Sequence, residues 1–302
     1  MGKEYNILLF SGGGIKGIAY IGVFKKLEEF KKKKELLQQE ENYDENKCKL
    51  PILKINRVCA VSVGSIFSLI YLLNYTYDEM LEEVLKVNFD ILKNIKIINL
   101  ASKYGLDNGV LLMNWICGLM EKKDYNKEIT LLELYNKTNV RFDIMATNLN
   151  KYTYKSFNYI DTPDVKVIDA IKMSISIPFI YTINEYEDDI YVDGGVINNY
   201  PIEMFTEDLE KLIGFKLINH GELESHTVDE EINNIEDYIY HVLTCFMIQK
   251  EKEKSKNVKY YNSTVYIPTN GLKDTLNFKI SKKEKMNLIN TGYKQTELFF
   301  AC

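Results

Sequence analysis

Histidine, tryptophan and proline are scarce in this 302-residue chain (three, one and five), and its five cysteines include no Cys-x-x-Cys pair. Cys48, Cys59, Cys117, Cys245 and Cys302 are widely spaced and odd in number, which argues for a reducing compartment and against a disulfide framework or a thiolate zinc site. There is no EF-hand loop and no His/Cys cluster with ligand spacing, so neither a metal nor a cofactor is expected. No apolar run reaches the length of a membrane span, and no charged-then-apolar leader precedes the first strand. Gly2 opens a near-match to a myristoylation motif, but Asn6 stands where Ser or Thr is needed. The net charge of −5 is spread without a large single-sign block, which gives nucleic acid nothing to bind. No internal repeat or domain linker interrupts the chain. These absences lead us to expect a soluble, cytoplasmic protein.

What is present suits a large core. Apolar residues make up 46% of the sequence, enough for one domain over 1–302 with a charged loop around 31–49. The organising stretch runs from Asn56 to Leu73. Arg57 to Val61 is short, apolar and β-branched, the pattern of a buried parallel strand. Val63 to Leu73 is apolar nearly all round and reads as a buried helix. Ser62 lies between them and Gly64 two residues on, the layout of a nucleophile elbow with a hydroxyl at a helix N-terminus. The usual pattern is G-x-S-x-G; here Ala60 replaces the first glycine.

Two further loops carry glycine. Asn6 to Phe10 is a strand leading into Ser11-Gly12-Gly13-Gly14-Ile15-Lys16-Gly17 and then a helix. Gly12, Gly14 and Gly17 formally satisfy a dinucleotide fingerprint, but that reading needs an acidic residue ending the next strand, and the next strand ends at Ser62. Three consecutive glycines expose backbone N–H groups at a helix start, which suits an anion or an oxyanion. Later, Ile190-Tyr191-Val192 is a strand that delivers Asp193-Gly194-Gly195 into a loop.

Elsewhere, Thr76 with Glu79, Thr130 with Glu133 and Ser281 with Glu284 are helix-starting capping boxes. The first helix should run to about Leu92, and the last from Ser281 to Phe300. Arg141 to Leu149 and Thr153 to Asn158 form a hairpin. Val165 to Met173 and Glu231 to Glu253 are further helices, and Lys211 to Leu217 and Thr264 to Ile267 further strands. Ile91 to Tyr104 mixes isoleucines with Lys93, Lys96 and Lys103; it reads as a core stripe with solvated lysines, and alternatively as a face resting on lipid.

The glycine block, the Ala60-Val61-Ser62-Val63-Gly64 elbow and Asp193-Gly194-Gly195, in that order, resemble the patatin-like phospholipases. Ala170 to Pro178 resembles the family's segment ahead of the acid, and the last helix with Gly292 its usual ending. The resemblance implies an α/β fold, a central mostly parallel sheet with helices on both faces, and a lipid acyl hydrolase of phospholipase A type. It implies Ser62 as nucleophile, Asp193 as base, and an oxyanion hole at Gly12, Gly13 and Gly14, with the Gly13 and Gly14 N–H groups as donors. Lys16, Gly17, Gly64, Gly194 and Gly195 would support them. Substrates would be phospholipids or glycerolipids met in transient contact with a membrane surface. Two alternatives remain: a Ser-His-Asp triad using His220, His226 or His241, and a lipid-binding protein without catalysis.

Overall fold

The computed structural model describes residues 2–40, 44, 48, 50–218, 238, 239, 241, 242, 245, 254, 256–269 and 279–301. His220, His226, Cys302, parts of the charged loop around 31–49 and most of the helix expected over Glu231 to Glu253 lie outside the described residues. Within them no helix is long and apolar enough to cross a membrane. The described cysteines are free thiols.

The sheet is built on β1 (Glu4–Phe10), β2 (Ile52–Val61), β4 (Arg141–Asn148), β9 (Leu212–Ile218) and β10 (Thr264–Pro268). These five run parallel in the spatial order β10, β9, β1, β2, β4. Their runs are apolar on successive residues because both faces are covered, as the parallel arrangement requires. β3 (Gly105–Asp107) pairs outside this sheet with β6 (Phe179–Tyr181). Beyond β4 the sheet turns antiparallel through β5 (Thr153–Phe157), β7 (Asn184–Tyr186) and β8 (Asp189–Asp193).

One edge of β4 is shared. Its first half pairs with β2, ending at Met145 opposite Val61, and its second half pairs with β8, starting at Ala146 opposite Asp193. β5 overlaps both halves and so occupies the other edge. The ends of β2 and β8 therefore meet head to head along β4. That junction places the residue after Val61 beside Asp193.

The helices, in chain order, are α1 (Ala19–Gln38), α2 (Val63–Leu72), α3 (Tyr77–Lys86), α4 (Ile97–Lys103), α5 (Val110–Glu121) and α6 (Leu131–Thr138). α7 (Val167–Ser174), α8 (Gly195–Asn198), α9 (Val258–Asn262) and α10 (Lys282–Ala301) follow. The larger core lies between the sheet side chains Leu8, Phe10, Val58 and Ala60 and the helices α1, α2 and α10. A smaller core covers the opposite face, where Ile7, Leu9, Cys59 and Val61 meet Tyr200, Ile202 and Phe205. α1 and α10 cross at backbone distance. A Cβ on Gly22 would lie 1.8 Å from the Ile289 carbonyl oxygen, and one on Gly292 2.0 Å from that of Ala19.

The capping boxes at Thr76 and Thr130 form as expected. α3 stops at Lys86, earlier than the expected Leu92. The buried Lys285 ammonium reaches across from α10 to the carbonyls of Val84 and Val87, and this long-range cap ends the helix. Ile91 to Tyr104 differs from the core-stripe expectation. Ile91, Ile95, Ile97 and Ile98 are exposed, and α4 buries no side chain.

Candidate active site

β2 ends at Val61 and α2 begins at Val63, so Ser62 makes the whole turn between them. Its backbone takes φ 51° and ψ −128°, a left-handed φ that a β-substituted residue holds only under strain and that recurs at functional positions. The neighbours hold it there. Ser174 Oγ accepts the Ser62 N–H at 2.9 Å and donates to the Met145 carbonyl at 2.6 Å. Ser65 returns both its N–H and its hydroxyl to the Ser62 carbonyl. The chain can turn so sharply because Gly64 packs on backbone: a Cβ there would stand 2.8 and 2.9 Å from the carbonyl oxygens of Ser11 and Phe10. The Ala60 methyl sits in the larger core, so its departure from glycine leaves the elbow formed.

The Ser62 hydroxyl donates to Asp193 Oδ2 at 2.5 Å. The other carboxylate oxygen accepts the Gly195 N–H at 2.7 Å. Backbone bonds from Asp193 to the Ser176 carbonyl and from Gly194 to the Ser174 carbonyl fasten this strand end to the segment after α7. Gly194 lies against Met145, where a Cβ would come within 2.5 Å of the carbonyl oxygen. Burial pushes the Asp193 carboxyl up from 3.8 to about 6, against the lowering pull of the Ser62 hydroxyl and the Gly195 N–H. A carboxylate so desolvated is a stronger base than one in water.

The glycine loop passes directly over this pair. A Cβ on Gly12 would lie 3.1 Å from Ser62 Cβ and 2.3 Å from Asn199 Oδ1. Asn199 grips the Gly12 residue from both sides: its carbonyl accepts the Gly12 N–H at 3.3 Å, and its side-chain amide faces the Gly12 carbonyl at 3.4 Å. The Gly12 N–H is thus engaged, so Gly12 shapes the loop. Among the described residues the N–H groups of Gly13 and Gly14 make no hydrogen bond. Gly14 has φ 54°, a conformation glycine adopts without strain. The buried Lys16 closes the loop with its backbone N–H on the Gly13 carbonyl. Gly17 lets this turn lie against Val63. Tyr20, buried below, donates to the Ser11 carbonyl at 2.8 Å and anchors the loop's first residue.

An apolar cleft leads away from Ser62, walled by Ile15, Phe67, Phe89, Leu112, Trp115 and Tyr181, among others. The structure therefore brings together every residue singled out in the three loops. His241 forms no hydrogen bond to either member of the pair: the carboxylate's partners are Ser62 and Gly195. Among the described residues no cluster of His, Cys, Asp or Glu could hold a metal ion. Ser174 and Asn199 were not singled out from sequence. Both lie in stretches adjoining the motifs, but short polar residues in loops carry no distinguishing signal until their partners are known.

A family model described as patatin-like phospholipase matches residues 8–206, a span that contains all three loops. An uncharacterized protein of Acanthamoeba polyphaga mimivirus is 30% identical over 96% of this chain and 92% of its own length. A probable lipid hydrolase of Invertebrate iridescent virus 6 is 29% identical over 67% of this chain and 63% of its own. Among solved structures, VipD from Legionella pneumophila superimposes with TM-score 0.60 at 14% identity, over 99% of this chain and 67% of that one. The type III effector ExoU of Pseudomonas aeruginosa does so with TM-score 0.52 at 13% identity, over 99% and 54%. At those identities the two structures speak for the fold.

Proposed function

The chain belongs to the patatin-like phospholipase family, and from that premise we propose that it is a lipid hydrolase cleaving fatty-acyl esters of phospholipids or glycerolipids through a Ser62 acyl-enzyme. The observation that carries the reading is the direct 2.5 Å hydrogen bond from Ser62 to a buried Asp193 at the base of an apolar cleft. The probable lipid hydrolase among the viral relatives supports the substrate class.

The acyl chain lies in the cleft with its ester carbonyl over Ser62. The hydroxyl attacks the carbonyl carbon and passes its proton to Asp193. The oxygen that gains charge meets the Gly13 and Gly14 N–H groups, preorganised donors worth about 3–4 kcal/mol each to the transition state. When the intermediate collapses, the leaving alcohol takes the proton from Asp193. Water then attacks the acyl-Ser62 ester, gives a proton to Asp193, and the fatty acid leaves as the serine recovers its hydrogen. Asp193 needs an elevated pKa for this exchange because an ordinary carboxylate is a weak base toward an alcohol. The direct Ser–Asp bond leaves no place for an imidazole between them, which favours a dyad over a triad.

A fluorophosphonate probe applied to the full chain, alongside phospholipid and glyceride panels, tests the reading. Labelling at Ser62, and loss of both labelling and hydrolysis in Ser62→Ala with an unchanged melting temperature, support it. An unlabelled serine with no hydrolysis of any panel lipid returns the chain to lipid binding alone. A single alanine variant of His220, His226 or His241 as inactive as Ser62→Ala would make it a triad enzyme.

A further inference from the structure

The exposed isoleucines of the segment 91–104 have no role in the chemistry above. Ile97 and Ile98, at 79% and 74% exposure, stand on the first turn of α4, with Ile91 and Ile95 exposed just before it. Four large aliphatic side chains in so short a stretch exceed the scattered exposure ordinary on a soluble surface. Three separate segments meet here. The Lys96 N–H donates to the Leu106 carbonyl in β3, the Asn94 N–H to the buried Asp107 carboxylate, and β3 pairs with β6 so that Gly105 faces Phe179.

Three stretches of the chain, around Ile91, Leu111 and Phe179, line the acyl cleft with apolar side chains and expose a near neighbour. Phe89 lines the cleft while Ile91 is exposed; Leu112 lines it while Leu111 is exposed; Ile177 and Tyr181 line it while Phe179 between them is half exposed. The patch is therefore the outer rim of the cleft. Phe179 holds φ 67° and Tyr104 holds φ 58°. A left-handed φ at a bulky aromatic is a strained choice, kept where surrounding structure imposes it. Both rings face solvent. The charge also departs from the rest of the chain. From Ile91 to Leu106 there are three lysines and no Asp or Glu, in a protein of net charge −5.

We propose that this rim is a docking surface for a lipid bilayer carrying anionic head groups, the isoleucines and Phe179 entering the acyl boundary while Lys96 and Lys103 meet the head groups. The proposal rests on the lipid-hydrolase reading for its purpose, since it would let an acyl chain pass from bilayer to cleft without crossing water. It rests on the surface alone for its binding. Apolar burial with flanking cations is the recognised physics of interfacial attachment.

The test is flotation of the full chain with vesicles of non-hydrolysable ether-linked phosphatidylcholine, with and without ether-linked phosphatidylserine, next to its rate on a monomeric short-chain ester. Ile97→Ser with Ile98→Ser should lower partitioning by about tenfold on both vesicle types. Lys96→Glu with Lys103→Glu should lower it by about tenfold or more on phosphatidylserine vesicles only. Both variants should keep the wild-type rate on the soluble ester, and Ser62→Ala should float like wild type. Wild-type protein that stays unbound, or variants that float unchanged, would overturn the docking surface. So would variants that lose soluble-ester activity with their binding, or that shift a monomer–dimer equilibrium in sedimentation, which would assign the patch to a second copy of the chain. Binding with the expected losses but no hydrolysis of any ester would keep the docking surface and reject the hydrolase.

Discussion

Replacing Asp193 with asparagine should abolish activity and stabilise the protein in the same step. The amide is nearly isosteric with the carboxylate. Its oxygen can still accept the Gly195 N–H, and its NH₂ can donate to Ser62 Oγ in place of the bond Asp193 Oδ2 accepts. The charge is what disappears. Burial lifts the Asp193 pKa from 3.8 to about 6, so the native state holds this proton more tightly than the unfolded chain does. Stability from this group is full below about pH 4 and is lost as pH rises to about 6, after which the deficit stays constant. A shift of about two units corresponds to roughly 3 kcal/mol. Asparagine carries no such deficit. Asp193→Asn and wild type should melt alike near pH 4, and the variant should melt several degrees higher above pH 7. Hydrolysis should vanish in the variant at every pH, because an amide accepts no proton, and the wild-type rate should fall as pH drops through about 6. The assays are thermal melts in a pH series and ester hydrolysis on the same samples. A gain in stability that ignores pH would refute the desolvation argument, and a variant within tenfold of wild-type rate would refute the base.

Three other outcomes follow from the geometry. Gly13→Ala or Gly14→Ala should lower kcat by about a hundredfold, the loss of one oxyanion donor, and also lower the melting temperature, since a Cβ on Gly13 would meet Leu217 at 2.6 Å and Gly14 holds φ 54°; full activity in the folded variants would place the oxyanion elsewhere. Ser174→Ala should leave the Ser62 N–H unpartnered and take one donor from the Met145 carbonyl, destabilising by about 1–3 kcal/mol and lowering kcat as the elbow relaxes; denaturant melts and kinetics check both. Gly22→Ala should destabilise by about 1–3 kcal/mol or more, since its Cβ meets the Ile289 backbone; a neutral melt would contradict the close helix crossing.

The three loops of the candidate site were legible in the sequence because each is a local event. Strand, serine and apolar helix are contiguous from Arg57 to Leu73, and the same holds for the glycine block and for Asp193-Gly194-Gly195. The capping boxes at Thr76 and Thr130 were legible for the same reason. What sequence hid depends on distant partners. The end of α3 is set by Lys285, some 200 positions away. The cleft draws its walls from separated segments such as Phe89, Trp115 and Tyr181. Ile91, Ile95 and Ile98 carry the spacing of a buried stripe, and only the fold shows them exposed.

The shared edge of β4 has a consequence in time. Ser62 and Asp193 are 131 positions apart, and they meet only after β2 has paired with the first half of β4 and β8 with the second. α2 and the β4–β5 hairpin are local and form quickly, whereas long-range strand pairing is slow because loop closure precedes its reward. The chemistry should thus be the last property a refolding chain regains. Far-UV circular dichroism should recover before fluorophosphonate labelling of Ser62 does, and labelling would then act as a clock for closure of the β8 end of the sheet. Simultaneous recovery would mean that the junction on β4 forms with the first secondary structure.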